Sequence, residues 1–112
     1  MNLGDILHSS TQWVKGRAWG TQPGSVCLGY ALCLLTGKVT WGERADSMGT
    51  TEGWRDPRMS RIVWALFPER ILNDFISIVS FNNHPDTRWE DIEKVVRLYD
   101  EEIENGVPEK GY

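Results

Sequence analysis

Apolar residues recur at helical intervals along most of this chain, and the places where the rhythm breaks divide it into segments. Leu3, Ile6, Leu7, Trp13 and Val14 fall near a 3.6-residue period, which predicts a first helix over 4–14 ended by Gly16. "GRAWGTQPGS" follows, dense in glycine and carrying a proline, and reads as a loop. Ser25 is a suitable N-cap for the next segment, 26–36, "VCLGYALCLLT". That segment is apolar on nearly every face, so it is expected to be a buried central helix. Gly37 suits the C′ position, where glycine takes a left-handed conformation without steric cost. Gly29 would permit another element to cross closely.

Residues 38–55, "KVTWGERADSMGTTEGWR", hold three glycines and no sustained period, so they read mostly as loop, with at most a short helix over 42–47. Asp56 then caps a helix with Pro57 at its first position. Met59, Ile62, Val63, Leu66 and Phe67 form its stripe. Pro68 breaks or restarts it, and Ile71, Leu72, Phe75, Ile76 and Val79 resume the period. "ISIVSF" would also suit a strand, but no second strand offers itself as a partner, so helix is favoured. Pro85 forces His84 out of helical geometry. Thr87 and Glu90 have the spacing of a capping box. A final helix then carries Trp89, Ile92, Val95, Val96, Tyr99 and Ile103 on one face, with Asp91, Glu93, Lys94, Arg97 and later acids on the other. The predicted architecture is a compact all-α domain of four to five helices. It occupies 1–105, with the helix over 26–36 at its centre and the final helix packed on that helix through Trp89, Ile92, Val96 and Tyr99. Residues 106–112 read as a flexible tail.

Composition changes this picture little. At 112 residues, 40% apolar and 25% charged, the chain is an ordinary single-domain protein able to form a core without metal or disulfides. Six tryptophans, at 13, 19, 41, 54, 64 and 89, are spread along it and read as core anchors. Charge is unevenly placed. From Asp86 onward there are nine acids against four bases, whereas Lys15, Arg17 and Lys38 face Asp5 alone over residues 1–42. An acidic final helix argues against duplex DNA as a partner. Cys27 and Cys33, six residues apart on a helix, point to different faces, so a disulfide is not expected. With reduced thiols, no visible signal peptide and no apolar run long enough for a bilayer, the expected setting is cytoplasmic, without a membrane.

The order of segments carries a resemblance: a tryptophan-containing start, a loop, "VCLGYAL", a variable middle, and "VSFNNHPDTRWEDIEKVVRLYD". The chain resembles a family of small uncharacterised proteins from actinobacteria and their phages. Those have a Cys-x-x-Gly-Ala-Leu-like helix and a Phe-Asn-Asp segment before a threonine-capped final helix. Tyr30 and Ala31 stand near the usual Gly-Ala-Leu, and Asn83 stands where aspartate is common. The resemblance implies a helical fold and a phage or actinobacterial setting, and gives no mechanism.

Chemistry-bearing candidates are few. Cys27, placed in the first turn of the central helix, would have its thiol pKa lowered by the unpaired N–H groups there. His84 could act as base, oriented by Asp86 or Asn82, which together would make a small cysteine hydrolase. The competing reading makes Cys27 a small core residue and His84 a turn residue. Asn82 and Asn83 could read a base or sugar edge, or simply hold a loop through backbone hydrogen bonds. Cation–aromatic neighbours such as Trp54–Arg55, Arg88–Trp89 and Arg17–Trp19, with Arg58 and Arg61 near a helix start, would suit a nucleotide or small anion. His8 and His84 are too far apart to suggest a metal, and no cofactor is implied.

The function expected from these features is a non-enzymatic interaction protein that binds a host protein. Loop tryptophans Trp41 or Trp54, with Arg55, Asn82 and Asn83, would supply the contact surface, and loop 38–55 the specificity. The cysteine hydrolase and the nucleotide binder are the alternatives. The acidic run "YDEEIE" is either a solvated face or, read functionally, a docking surface for a basic host protein or a mimic of DNA.

Overall fold

The computed structural model describes residues 1–15, 26–37, 53–72 and 77–108. Five α-helices are described: α1 (Leu3–Ile6), α2 (Leu28–Leu35), α3 (Pro57–Leu66), α4 (Ser77–Asn83) and α5 (Trp89–Glu104), with a 3-10 turn at Pro68–Arg70 after α3. The architecture is all-α, as the periodicity predicted. Among the described residues the only β-type pairing is an isolated parallel bridge between Trp13 and Val26.

The helices pack in a closed cycle: α1 on α5, α5 on α3, α3 on α4, α4 on α2, and α2 back on α1. Residues 28–34 of α2 are all buried, so this segment is the oily centre its composition predicted. The final helix does not lie chiefly on α2. It docks on α1 and α3, and α2 meets α1 and α4 instead. Tyr30 and Phe81 are the largest fully buried side chains, among Leu3, Leu7, Leu28, Leu32, Met59, Ile78 and Ile92. The four described tryptophans, Trp13, Trp54, Trp64 and Trp89, are each only half-buried, so aliphatic residues with Tyr30 and Phe81, and not indoles, fill the core. Trp19 and Trp41 lie outside the described residues. An indole is large and carries an N–H that needs a partner, which favours the core's margin.

Local boundaries differ from the sequence expectation where tertiary partners intervene. The first helix is one turn, not eleven residues. It exists because each exposed amide at its start is satisfied: Asp100 of α5 accepts from the N–H of Leu3 and of Gly4, each at 2.8 Å, and Asn2 and Asp5 form a reciprocal capping box. Beyond it the chain turns so that Val14 N–H donates to Val26 O and Val26 N–H to Gln12 O. The N-cap of α2 is Cys27, whose Sγ accepts from Tyr30 N–H at 3.4 Å; Ser25 lies outside the described residues. Thr36 and Gly37 end that helix, and Gly37 has φ +76° as expected of a C′ glycine.

Asp56 caps α3 through Met59 N–H with Pro57 at the first position, as predicted, and its other oxygen accepts from Tyr99 OH at 2.9 Å. Met59, Ile62, Val63 and Phe67 of the predicted stripe are buried. Leu72 is not: it is 81% exposed, so the stripe does not continue through it. "ISIVSF" is helical from Ser77. Thr87 is not the cap of α5. The helix starts one residue later, with Arg88 at the N-cap and the Asp91 carboxylate accepting from its N–H, while buried Thr87 offers Oγ1 to Arg70. Ile103, predicted on the buried face, is 50% exposed because the last turn of α5 runs past the core. Asn105 and Gly106 close α5, Gly106 N–H to Ile103 O and Val107 N–H to Glu102 O, which is a Schellman ending at the start of the predicted tail.

Gly29 is a point of close approach, and the reason lies in Gly53. A Cβ on Gly53 would stand 2.0 Å from Gly29 O and 2.8 Å from Cys33 Sγ, and one on Gly29 would meet the Trp54 ring at 2.5 Å. The backbone before α3 is therefore pressed against one face of α2.

Two consequences are measurable. Gly53→Ala should lower unfolding stability by about 2 kcal/mol or more, since the clash is with backbone and cannot rotate away; an unchanged urea midpoint would refute the close approach. The second concerns Asp91, which Arg70 binds while its guanidinium lies 5.0 Å over the Phe67 ring. Burial, the largest single influence, works to raise the Asp91 pKa. The hydrogen bonds from Arg70 and from Arg88 N–H, with the charges of both arginines, outweigh it and hold the carboxyl below its ordinary value. Such a group stabilises the fold above its unfolded-state pKa of about 3.9 and loses that contribution as pH falls through the folded-state value. Asp91→Asn should therefore be roughly 1 kcal/mol less stable than the parent at neutral pH, with the deficit shrinking below about pH 4. Equal deficits at both ends of a pH series of urea melts would show that the charge is not responsible.

Candidate functional site

The segment "SFNNHPD" is built around one buried amide. The Asn82 side chain is fully enclosed, and it joins three pieces of chain that are distant in sequence. Its Oδ1 accepts from Leu28 N–H at 3.1 Å and from Trp13 Nε1–H at 2.9 Å. Its Nδ2 donates to Val14 O at 3.4 Å and to Asn83 Oδ1 at 2.8 Å. Two donors and two acceptor positions are thus used, the full capacity of an amide. Asn82 is a structural clamp holding the start of α2 to residues 13–14, which is one of the two roles its residue type allowed.

His84 and Asp86 form the turn after α4. Asp86 N–H donates to His84 Nδ1 at 3.1 Å, and the Asp86 carboxylate lies 4.0 Å from the same nitrogen. Lys15 Nζ donates to the carbonyls of His84 and Pro85, a cation at the C-terminal end of α4 where the helix dipole favours one. The ring nitrogen that would orient a catalytic imidazole is thus occupied by the turn itself. Cys27 is buried, and its sulfur caps α2. Cys27 and Asn82 come together at the first turn of α2, whereas the His84 ring faces its own turn. Neither cysteine forms a disulfide.

Of the proposed contact residues, Trp41 lies outside the described residues. Trp54 is half-buried with its ring against Gly29, Arg55 is exposed, and Asn83 is exposed beside Asn82. Arg58 and Arg61, read as a possible anion site, both bind Glu102 of α5, and the start of α3 is filled by its own Asp56.

A concave feature lies elsewhere among the described residues. A groove of about 430 Å³ runs between α1 and α5, with half-buried Trp89 as its exposed apolar residue over buried Leu7 and Val96, and Asp5, Glu93, Glu101 and Glu104 along it. Asp100 also lines it, committed to the α1 amides, and His8 and Arg97 are the basic groups in its lining. Glu93, Glu101 and Glu104 make no side-chain hydrogen bond or ion pair among the described residues. Trp89, Glu93, Val96, Asp100 and Glu104 recur at three- and four-residue steps, so one stripe of α5 supplies half of the groove. That stripe straddles the two faces read from the sequence, Trp89 and Val96 coming from the apolar one and Glu93 with the later acids from the charged one. Its partner wall was not legible there, because it comes from residues some ninety positions earlier that carry no motif.

Among the described residues no cluster of histidine, cysteine and carboxylate groups could hold a metal ion, and no helix is long and apolar enough to cross a membrane. Compared with known protein families, with curated proteins and with solved structures, the chain matches none.

Asn82→Ala should lower stability by about 2–5 kcal/mol, because Leu28 N–H and the Trp13 indole lose their acceptor inside the protein. Asn83→Ala, at an exposed position, should cost clearly less. Urea melts of the two variants would test the clamp, and equal effects would overturn it.

Proposed function

We propose that this chain works by binding another protein and that the α1–α5 groove is its docking face, taking a segment that is cationic and partly apolar. The observation that carries this reading is the pairing, in one concave surface, of the half-buried Trp89 ring with Glu93, Glu101 and Glu104, carboxylates that have no side-chain partner among the described residues. An acidic surface steers a basic segment during encounter and fixes its register, while the exposed part of Trp89 supplies apolar area to bury. The two walls are tied together, since Asp100 of α5 holds the start of α1, so a segment docking there meets a surface the fold already joins.

The hydrolase alternative receives no such support, since Cys27 is enclosed and its sulfur has a capping role. A nucleotide site at Arg58 and Arg61 would have to displace Glu102 first. A host protein as the partner, in a bacterial cytoplasm, is favoured by the resemblance to actinobacterial and phage proteins alone; the groove's chemistry stands without it.

Titration of isotope-labelled protein with a short peptide of alternating lysines and leucines tests the reading. Amide shifts should concentrate on residues 2–8 and 89–104. Paired charge reversal, Glu93→Lys with Glu101→Lys, should weaken binding about two- to thirtyfold. Shifts scattered over the surface, equal binding of a glutamate–leucine peptide, or reversal without effect would each overturn the groove as the docking face.

A further inference from the structure

We infer that His8 and Gln12 form a protonation-sensitive latch at the rim of the α1–α5 groove, and that it weakens the groove's hold on a cationic segment when the imidazole takes up its second proton. The consequence for binding rests on the groove being the docking face; the latch itself does not.

The latch follows from the hydrogen-bond inventory of two side chains. Gln12 Oε1 accepts from His8 N–H at 2.7 Å and from Ser9 N–H at 3.2 Å. An NH2 group cannot accept, so these two bonds fix which end of the amide faces the backbone. The other end, Nε2, lies 2.9 Å from His8 Nε2. Two N–H groups cannot share that contact, so His8 Nε2 must present its lone pair and the ring proton sits on Nδ1. A second proton has to go on Nε2. The contact then becomes donor against donor, and it opens in one of two ways. Either the ring leaves, or the amide turns over and surrenders two backbone hydrogen bonds.

The surroundings determine where a released imidazolium goes. His8 shares the lining of the groove with Asp5 of its own segment and with Glu93, Asp100, Glu101 and Glu104 of α5, and Arg97 is the other base there. The acids outnumber the base, so the ring is drawn into the groove. There it adds a positive charge to the surface that a cationic segment needs negative. Gln12 also ties this turn to the Val26 bridge through its carbonyl, so the opening is reported in the backbone around residue 12.

The test uses the full chain and needs no partner for its first arm. Nitrogen NMR of the imidazole at about pH 8 should show the Nδ1–H tautomer of His8. On acidification the Gln12 side-chain amide and the His8 and Ser9 backbone amides should shift in step with the ring's own titration. Over that same step the dissociation constant for the lysine–leucine peptide should rise about two- to fivefold, and His8→Asn should lack this rise. A dominant Nε2–H tautomer, or a Gln12 amide that stays still while His8 titrates, overturns the latch. A latch that opens without change in peptide affinity overturns its role in binding. A peptide that binds at neither pH overturns the groove reading and that role together, while the NMR arm still decides the latch.

Discussion

The fold depends on a single enclosed amide. α2 is buried around its whole circumference, so the unpaired N–H groups of its first turn cannot turn to water. Asn82 supplies the acceptor for Leu28 N–H, and Cys27 supplies the one for Tyr30 N–H. The same Asn82 oxygen holds the Trp13 indole, and its nitrogen holds Val14 O. One side chain thus makes it feasible to bury the helix, orients the half-buried tryptophan and fixes the run of chain that bridges to Val26. A polar group at the centre of a core is costly unless every donor and acceptor is used. Here all of them are, and the arrangement is correspondingly specific.

A second constraint comes from how α5 divides its acids. Asp91 binds Arg70, Asp100 caps α1, and Glu102 takes Arg58 and Arg61. Tyr99 adds a bond to Asp56 at the start of α3. These groups tie the final helix to each neighbour it packs against, so its acidity is partly internal architecture and not merely a solvated face. Glu90, Glu93, Glu101 and Glu104 are left over among the described residues, and the last three line the groove with the half-buried Trp89. The division between committed and uncommitted carboxylates is what gives the groove its chemistry.

The proposed docking face and its latch belong to the same small unit, α1 with the turn that follows it. This unit is one helical turn long and owes its existence to Asp100. Partner chemistry and response to protonation would thus be set by residues 5–12 acting against one face of α5. In the core, α3 and α4 stack through Phe67 and Phe81 at 5.0 Å and serve as scaffold.

The sequence by itself determined the class of fold, the buried character of 28–34, the Asp56–Pro57 start of α3, the helical state of "ISIVSF" and the glycine end of α2. Each of these follows from local rules: periodicity, φ preference and a cap within three residues of what it caps. It also brought out Asn82, because an asparagine at the end of an apolar run needs partners, but it could not name them. Tertiary structure alone decided that α1 stops after one turn, that Cys27 and not an earlier hydroxyl caps α2, that Thr87 serves Arg70 and not its own helix, and that Ile103 and Leu72 face water. It alone made the groove. In each case the deciding partner lies tens of residues away, and the identity of such a partner is set by which helices meet, which no local pattern records.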